Sequence, residues 1–461
     1  MRSLEFLIIL SSVGALYFLF IKNDRASFLY SLFGAITITL IHFFTESSRW
    51  QMVPAYLFLV VIFVIYKTYK EKPPTIILLL LMSWLTVSAL LPWLIPVFTL
   101  PEPDGPYSIG TETFHWVDSS RQEWFTDEIE DDVREIVVQV WYPTINNSSD
   151  QRTPYFDFAQ RRARGLSQAG GLPSFFANHL GLIKTNTTFK TPLAKIKTKL
   201  PVIITSHGIT GSRHLHSSLN EHFASEGFIV FGVDHPYDAN LTIFPDGHIA
   251  DYRSDLHGNP DSAHVRKQQM KTRTFDVVFM LNQIEKMNSG ETQSMFQSNI
   301  DMDNIGIIGH SYGGATAINA SAIDSRLKAC FALDGWINPI PSTILQSGVP
   351  IPFYYLGRPS WANSDYKNNY DLLFSLLQNG FDDQLFSIVK KTEHLDFSDA
   401  PLFSPLASYF LDVGELPVSI SHPLILSQII TFFNHYLKGG LGQYIAPESR
   451  YLIIQNRQLN D

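Results

Sequence analysis

The fold of this chain is decided by the stretch Asn304-Ile305-Gly306-Ile307-Ile308-Gly309-His310-Ser311-Tyr312-Gly313-Gly314. An apolar run of strand character enters a Gly-x-Ser-x-Gly turn, and small residues of helical character follow it. In so sharp a turn the serine is held in a strained conformation, and side chains at Gly309 and Gly313 would collide with neighbouring backbone. The stretch therefore predicts a nucleophile elbow, with Ser311 exposed where a strand gives way to a helix.

Charge divides the chain near residue 100. Residues 1–100 carry seven basic and four acidic side chains, whereas residues 101–461 carry 27 basic and 39 acidic ones. The acidic second part argues against nucleic acid as a partner, because phosphate binding needs a basic surface. We therefore predict two domains: a transmembrane region over residues 1–100 and a catalytic domain over residues 101–461.

The first part contains four apolar segments that are nearly free of charge: residues 4–21, 27–45, 52–66 and 75–99. Each is close to the roughly 20 residues that a helix needs to cross a bilayer. A cleaved signal peptide is the alternative for the first segment, but no small-residue cleavage site follows it and three more apolar segments do. The sequence therefore predicts a multi-pass membrane protein whose four helices anchor the rest of the chain.

Basic residues in the short loops predict the orientation of these helices. The first and third loops together carry five basic residues, and the second loop carries one, Arg49. If the five lie on the cytoplasmic side, the N-terminus and the domain after the fourth helix both face away from the cytoplasm. We predict a plasma (inner) membrane location with the catalytic domain on the extracytoplasmic side.

Segments of strand character alternate with helical segments in the second part. Two early ones, Thr113–Asp118 and Glu135–Pro143, predict an antiparallel sheet edge. The later ones are Val202–Ser206, Phe228–Val233, Ile305–Gly309, Ala329–Asp334, Ile351–Gly357 and Leu385–Lys390. This alternation predicts a mostly parallel sheet covered by helices, and with the elbow it predicts an α/β-hydrolase fold. Residues 144–198 are polar and irregular, and they predict a surface insertion or a partial lid.

A nucleophilic serine needs a base within hydrogen-bond reach and a carboxylate that orients the base. In this fold the acid and then the histidine follow the serine along the chain. Asp334 closes a strand, where a buried carboxylate requires a partner, whereas Asp324 lies at the wrong edge of the sheet. His394 follows the last core strand, from which a loop can reach back over Ser311, whereas His435 lies in a terminal helical segment. The predicted catalytic residues are Ser311, Asp334 and His394.

The tetrahedral intermediate of ester hydrolysis needs two backbone N–H groups for its oxyanion. One is predicted at Tyr312, the residue after the nucleophile. The second is predicted at Ile209, in the turn His207–Gly211, where Gly208 lets the backbone curl toward the serine.

Three histidines after the strand that ends at Ser206 raise the question of a zinc site. His207, His214 and His216 are close together in sequence, but no cysteine or carboxylate stands at ligand spacing with them. Zinc sites are built from such ligand sets. We therefore predict no metal site, and we predict no cofactor.

Six motifs follow one another along the second part of the chain: Gly105–Thr111, Phe114–Asp118, Ser206–Gly208, Gly309–Ala315, Ala332–Trp336 and His394–Asp399. Together they resemble the platelet-activating factor acetylhydrolase family of the lipoprotein-associated phospholipase type, over residues 105 to 437. The resemblance implies a calcium-independent serine hydrolase that removes short or oxidised acyl chains from phospholipids. By motif position it implies Ser311, Asp334 and His394 as the triad, with the amides of Ile209 and Tyr312 as oxyanion donors.

The chain departs from that family in two respects. Four membrane helices stand in place of a secretory signal, and the segments 144–198 and 236–262, which would shape the acyl pocket, match no recognised pattern. The sequence thus predicts a membrane-anchored carboxylic ester hydrolase acting on lipid-like esters. A generalist esterase for short soluble esters is one alternative. An inactive hydrolase-like domain that scaffolds a membrane complex is another, and the complete set of triad candidates argues against it.

Overall fold

The computed structural model describes residues 1–126, 128–129, 132–145, 152–256, 258–259, 261–380 and 383–455. The chain divides into two compact units. The first consists of Met1–Thr99, Pro154–Ile183 and Leu402–Ala407, and the second of Leu100–Thr153, Lys184–Pro401 and Ser408–Asp461. The domain boundary predicted at residue 100 stays a prediction. All residues predicted for the catalytic site lie in the second unit.

Four long apolar helices form most of the first unit: α1 (Ser3–Tyr17), α2 (Arg25–Thr45), α3 (Val53–Thr68) and α4 (Thr75–Leu94). Together with short turns that extend α1 and α3, the four segments are 19 to 21 residues long and apolar enough to cross a membrane. The four predicted helices are therefore present. The last one ends before residue 99 because Pro96 disfavours helical backbone at the residue that precedes it.

A buried ion pair joins helix ends in the first unit. Glu5 of α1 is fully buried, and its two carboxylate oxygens each accept a 2.7 Å hydrogen bond from the Arg49 guanidinium. Arg49 also donates to the Pro92 carbonyl at 3.1 Å. The neighbouring Trp50 indole donates to the Phe176 carbonyl at 2.9 Å, so directed bonds tie the later segment of this unit to the apolar helices.

Most of the strands of the chain form one 11-stranded sheet. The described strands are β1 (Ser108–Gln122), β2 (Val133–Thr144), β3 (Arg152–Pro154), β4 (Lys184–Phe189), β5 (Leu200–Ser206), β6 (Ile229–Asp234), β7 (Leu241–Ile243), β8 (Ile249–Asp251), β9 (Ile300–His310), β10 (Leu327–Leu333), β11 (Phe353–Gly357), β12 (Gln384–Val389) and β13 (Leu452–Gln455). The sheet has the order β13-β12-β11-β10-β9-β5-β6-β2-β1-β4-β3, and β7 and β8 form a separate hairpin. The strands from β12 to β6 run parallel, and β2 and β1 join antiparallel. The predicted α/β-hydrolase sheet with an antiparallel edge is confirmed.

Helices cover both faces of this sheet. The remaining described helices are α5 (Ala159–Ala169), α6 (Ser217–Ser225), α7 (Ser262–Ser289), α8 (Tyr312–Ile323), α9 (Ser342–Ser347), α10 (Asn369–Gln378), α11 (Ala407–Phe410) and α12 (Val418–Leu437). Successive side chains of a strand point to opposite faces. In β5, Ile204 packs in one core with Met280 of α7, whereas Ile203 packs in the other with Phe223 of α6 and Phe433 of α12.

The expectation that residues 144–198 are irregular was wrong. This segment contains β3, α5 and β4, and β4 pairs in parallel with β1. Its threonine-rich sequence lacks the apolar alternation that marks a strand, although threonine favours strand backbone. The edge strand β13 was also missed.

Candidate active site

Ser311 lies at the turn between β9 and α8, in a backbone conformation that favours glycine. Its φ is 57° and its ψ is −122°. A Cβ on Gly313 would lie 2.1 Å from the Ser206 carbonyl oxygen, and one on Gly309 would lie 2.0 Å from the Gly313 carbonyl oxygen. Real Cβ atoms essentially never approach so closely, so both positions require glycine in this turn. The predicted elbow geometry is thus present around Ser311.

The turn after β5 approaches the Ser311 side chain directly. A Cβ placed on Gly208 would lie 3.0 Å from Ser311 Cβ and 3.5 Å from Ser311 Oγ. Ser311 is also tied to the neighbouring strand, because its N–H donates to the Leu333 carbonyl at 3.0 Å. The carboxyl ends of the parallel strands β5, β9 and β10 therefore meet at the serine.

Asp334 and His394 meet at the same edge of the sheet. Asp334 follows β10 directly and is fully buried, and His394 lies in the loop after β12 with its side chain 20% exposed. His394 Nδ1 lies 2.6 Å from Asp334 Oδ2. Because an ionised carboxylate only accepts hydrogen bonds, Nδ1 carries the proton and the lone pair of Nε2 is free to accept one.

The Asp334 carboxylate is held by further donors. The Arg358 amide and the Trp361 indole donate to Oδ1 at 3.1 and 3.2 Å, and the Arg358 guanidinium lies 3.3 Å from Oδ2. Burying an ionised carboxylate is costly unless it is paired and hydrogen-bonded. These contacts compensate the negative charge of Asp334 and fix the orientation in which its carboxylate accepts the hydrogen bond from His394.

Two hydrogen bonds hold the backbone of the loop that carries His394. His310 Nε2 donates to the His394 carbonyl at 2.9 Å, and the two rings lie 4.6 Å apart. The Leu395 amide donates to the Asp412 carbonyl at 2.8 Å. His310, which directly precedes Ser311, therefore fixes the backbone of His394.

Among the described residues, no hydrogen bond joins Ser311 Oγ to His394 Nε2 in this structure. In ligand-free enzymes such bonds are often long and tighten only in the reacting complex. The structure therefore contains the hydrogen bond between Asp334 and His394, and it places Ser311 in the elbow without the hydrogen bond to His394.

Of the two amides predicted as oxyanion donors, that of Ile209 lies in the turn whose Gly208 approaches Ser311, and that of Tyr312 follows Ser311 directly. Within the described part of the chain, neither the Ile209 nor the Tyr312 amide donates to a protein acceptor. His207 fixes the peptide that carries the first of them. The His235 amide donates to His207 Nε2 at 3.1 Å, so the ring proton lies on Nδ1, which donates to the Gly208 carbonyl at 2.6 Å.

The planarity of the peptide between Gly208 and Ile209 determines the direction of the Ile209 N–H. In a trans peptide the carbonyl and the next N–H point in opposite directions. By holding the Gly208 carbonyl, His207 therefore turns the Ile209 N–H away from itself. The Thr210 amide donates to the Asp238 carbonyl at 3.0 Å and fixes the far side of the turn.

A buried charged cluster supports this turn. The fully buried Arg273 guanidinium lies 3.1 Å from the Asp238 carboxylate, with which it pairs. It also lies 3.2 Å from His207 Nδ1, where two donors face each other in this tautomer and form no hydrogen bond. Burial first, and then the Arg273 charge, lower the pKa of His207 well below its ordinary value. Burial lowers the pKa of His235 to about 4. Both imidazoles are therefore neutral near pH 7 and keep their hydrogen-bond pattern.

The rival candidates have other partners. The Asp324 carboxylate pairs with Arg326 at 2.6 Å, and His435 Nε2 lies 3.0 Å from the Gly442 carbonyl. Sequence reasoning missed Arg358, although it follows the end of β11 at the same sheet edge where Asp334 follows β10. Its position directly after a strand was the sequence signal that could have indicated Arg358. The buried Arg273, in the middle of α7, carried no such signal.

The fold and the site define the class: an α/β-hydrolase with a serine elbow and a buried aspartate–histidine pair. Residues 95–438 match the family described as platelet-activating factor acetylhydrolase, isoform II, and the chain belongs to this family. The resemblance that the motifs predicted is confirmed.

Individual relatives are moderately similar in sequence. The platelet-activating factor acetylhydrolase of Cavia porcellus is 28% identical over 58% of this chain and 61% of its own length. That of Canis lupus familiaris is 31% identical over 42% of this chain and 48% of its own length. A probable 1-alkyl-2-acetylglycerophosphocholine esterase of Arthroderma benhamiae is 23% identical over 77% of this chain and 92% of its own length. The chain thus spans about half to three fifths of the first two relatives.

A solved structure shares the fold. The ferulic acid esterase of Streptomyces cinnamoneus superposes with a TM-score of 0.62 at 22% identity. The match covers 78% of this chain and 100% of that one. At this identity the likeness supports the fold alone.

Proposed function

We propose that this protein is a membrane-anchored serine hydrolase of carboxylic esters, and that its substrates are phospholipids with short or oxidised acyl chains. The observation that carries the proposal is the 2.6 Å contact between His394 Nδ1 and Asp334 Oδ2, at the sheet edge that bears the Ser311 elbow. The names of the relatives, acetylhydrolases and an alkyl-acetylglycerophosphocholine esterase, support the choice of ester.

In the first half of the reaction Ser311 is acylated. Its Oγ attacks the ester carbonyl carbon while His394 Nε2 takes the hydroxyl proton, and Asp334 stabilises the imidazolium. The carbonyl oxygen becomes an oxyanion that accepts hydrogen bonds from the Ile209 and Tyr312 amides. Collapse of the intermediate breaks the bond to the leaving alcohol, which receives the proton from His394.

In the second half water releases the acyl group. His394 removes a proton from water, the resulting hydroxide adds to the acyl carbonyl carbon, and the oxyanion forms again at the same two amides. Cleavage of the bond to Oγ releases the carboxylic acid, and the proton returns from His394 to Ser311. The sequence of steps uses side chains, backbone amides and water.

The membrane assignment rests on the apolar helices. Each of the four candidate spans is long and apolar enough to cross a bilayer. Positive charges concentrate in the first and third loops, which favours an extracytoplasmic catalytic unit in the plasma (inner) membrane. Anchoring would hold the serine at a lipid surface, where long-chain phospholipids present their esters.

The substrate class is tested by comparing two esters with the detergent-solubilised protein. We expect hydrolysis of both 1-alkyl-2-acetylglycerophosphocholine and 4-nitrophenyl acetate, with kcat/KM for the phospholipid about tenfold higher or more. The reverse order would support the generalist esterase. Loss of both activities in a correctly folded preparation would contradict the proposal.

A second prediction concerns His207 as a positioning residue. In His207→Gln the amide takes the place of Nε2 and the donor to the Gly208 carbonyl is lost. We expect kcat to fall by roughly 10 to 100-fold with KM nearly unchanged, because a misplaced oxyanion donor weakens the transition state and not the substrate complex.

The matched variant is His207→Asn, whose amide nitrogen takes the place of Nδ1 and can donate to the same carbonyl. We expect it to recover most of the lost kcat. A role limited to stability predicts instead that both variants lose activity in proportion to their fraction of folded protein. Thermal unfolding measured alongside the kinetics separates the two results.

A further inference from the structure

A groove of about 1020 Å³ lies between the start of α7 and the loop after β10. We call it the Arg266 groove. It is lined by the segment after β8, the start of α7, the loop after β10 and the start of α9. The residues that line it include Asp255, Arg266, Lys267, Trp336, Asn338 and Tyr366.

Two walls of the groove are bonded to the residues around Ser311. The Trp336 amide donates to the Ser311 carbonyl at 2.9 Å. On the other wall, the Tyr312 hydroxyl donates to the Arg266 carbonyl at 2.7 Å. The lining of the groove is therefore hydrogen-bonded to two residues of the elbow, Ser311 and Tyr312.

The groove is cationic although the second part of the chain is acidic. Its charged lining consists of Arg266, Lys267 and Asp255. The Arg266 guanidinium donates to the neutral Gln269 side chain at 2.7 Å and to the Ser254 carbonyl at 3.2 Å. Among the described residues no carboxylate forms an ion pair with Arg266 or Lys267. Both positive charges thus remain available to an anion.

Two polar atoms of residues that line the groove lack a hydrogen-bond partner in the described part of the chain. The Trp336 indole N–H and the Asn338 side-chain oxygen are buried and have no partner in the described part of the chain. Buried polar groups are normally hydrogen-bonded. The Trp336 ring itself is fixed between the Arg266 guanidinium, 5.5 Å away, and the Tyr366 ring, 4.3 Å away. The ring therefore lies next to one of the two cations of the groove, Arg266.

We propose that the Arg266 groove binds the phosphate of the glycerophospholipid headgroup while the acyl ester lies at Ser311. This inference rests on the proposed function. Guanidinium and ammonium groups are the side chains that recognise phosphate oxygens. In a glycerophospholipid only the short glycerol linker separates the ester of the second position from the phosphate, so both groups fit a site in which groove and nucleophile adjoin.

The test uses the full-length solubilised protein with Lys267→Glu and Arg266→Gln. For each variant kcat/KM is measured with 1-alkyl-2-acetylglycerophosphocholine and with 4-nitrophenyl acetate, which has no phosphate. We expect the ratio of the two values to fall about tenfold or more, because a charged hydrogen bond to phosphate is lost. The matched control is Lys271→Glu, an exposed lysine one turn further along α7 and outside the groove, which should leave the ratio unchanged.

Three results would overturn the assignment: a ratio unchanged in both groove variants, an equal fall in the Lys271→Glu control, or a fall that disappears when the substrate lacks choline. The last result would point to a site for the ammonium group instead of the phosphate. A retained fall with the choline-free substrate supports the phosphate.

Binding measured without turnover separates this proposal from the proposed function. By calorimetry with the wild type we expect glycerophosphate to bind more tightly than inorganic phosphate, and Lys267→Glu to weaken it about tenfold. Equal affinity for inorganic phosphate would overturn the headgroup assignment in favour of a free phosphate site. If neither ester is hydrolysed but glycerophosphate binds in this way, the proposed function fails, and the result supports only a glycerophosphate site in the groove.

Discussion

Replacing Ser311 by alanine is expected to lower kcat for ester hydrolysis by roughly 10⁴-fold or more. The reason is chemical: without Oγ no acyl-enzyme forms, and any remaining rate must come from direct attack of water assisted by the oxyanion amides. KM should change little because the hydroxyl contributes little to substrate binding. Steady-state kinetics with 1-alkyl-2-acetylglycerophosphocholine and with an aryl acetate measure both quantities.

The matched control for this variant is Ser321→Ala. Ser321 lies in α8, is buried, and donates to the Ala317 carbonyl of the same helix at 2.8 Å. We expect its kinetics to stay within about twofold of the wild type, since a helix-internal hydroxyl bond contributes about 1 kcal/mol or less. Survival of ester hydrolysis in folded Ser311→Ala would exclude this residue as the nucleophile.

The second large effect is expected for Asp334→Asn, with kcat falling by about 10⁴-fold. An asparagine amide can donate to His394 Nδ1, which would then be the unprotonated nitrogen. The proton would move to Nε2, and the base would no longer be able to accept the Ser311 proton. The loss should appear in kcat, because Asp334 is buried behind His394 and does not reach the substrate.

Asp324→Asn is the control for charge removal near the same strand. Its carboxylate pairs with Arg326 at the opposite end of β10 from Asp334. Activity should be unchanged in this variant. Because Asp334→Asn also leaves Arg358 without a full ion pair, thermal unfolding should be recorded for both proteins. A 10⁴-fold loss explained by unfolding alone would contradict the assigned role.

Local sequence patterns were sufficient for the elbow and for the mostly parallel character of the sheet. Gly309 and Gly313 predicted a turn without room for side chains. A Cβ placed at either position would collide with backbone atoms, which is the steric reason. Asp334 and His394 were predicted from the order of this fold, in which the acid and then the histidine follow the serine along the chain, each after a core strand. These are the parts of the site in which chain order determines spatial order.

The supporting contacts could not be read in the same way. Arg273 approaches His207 from the middle of a long helix, and this depends on how α7 packs against the sheet. His310 holds the carbonyl of a residue 84 positions later. Such pairs join elements that are distant in sequence, and no local pattern encodes them.

The segment 144–198 shows a different limit. Its strand β4 pairs with β1 through backbone hydrogen bonds, whose partners a single polar sequence does not reveal. Part of the segment belongs to the same compact unit as the apolar helices, through contacts such as that of Trp50 with the Phe176 carbonyl. The polar composition of the segment 144–198 therefore led to the prediction of an irregular insertion.

The central claim is that Ser311 is a nucleophile activated by His394. It is tested most directly by treating the purified protein with a fluorophosphonate and locating the adduct by mass spectrometry. We expect one stoichiometric adduct on Ser311. It should form much more slowly in His394→Ala, because the probe reacts with the activated hydroxyl. Absence of an adduct in active protein, or an adduct on another serine with Ser311 unmodified, would contradict it.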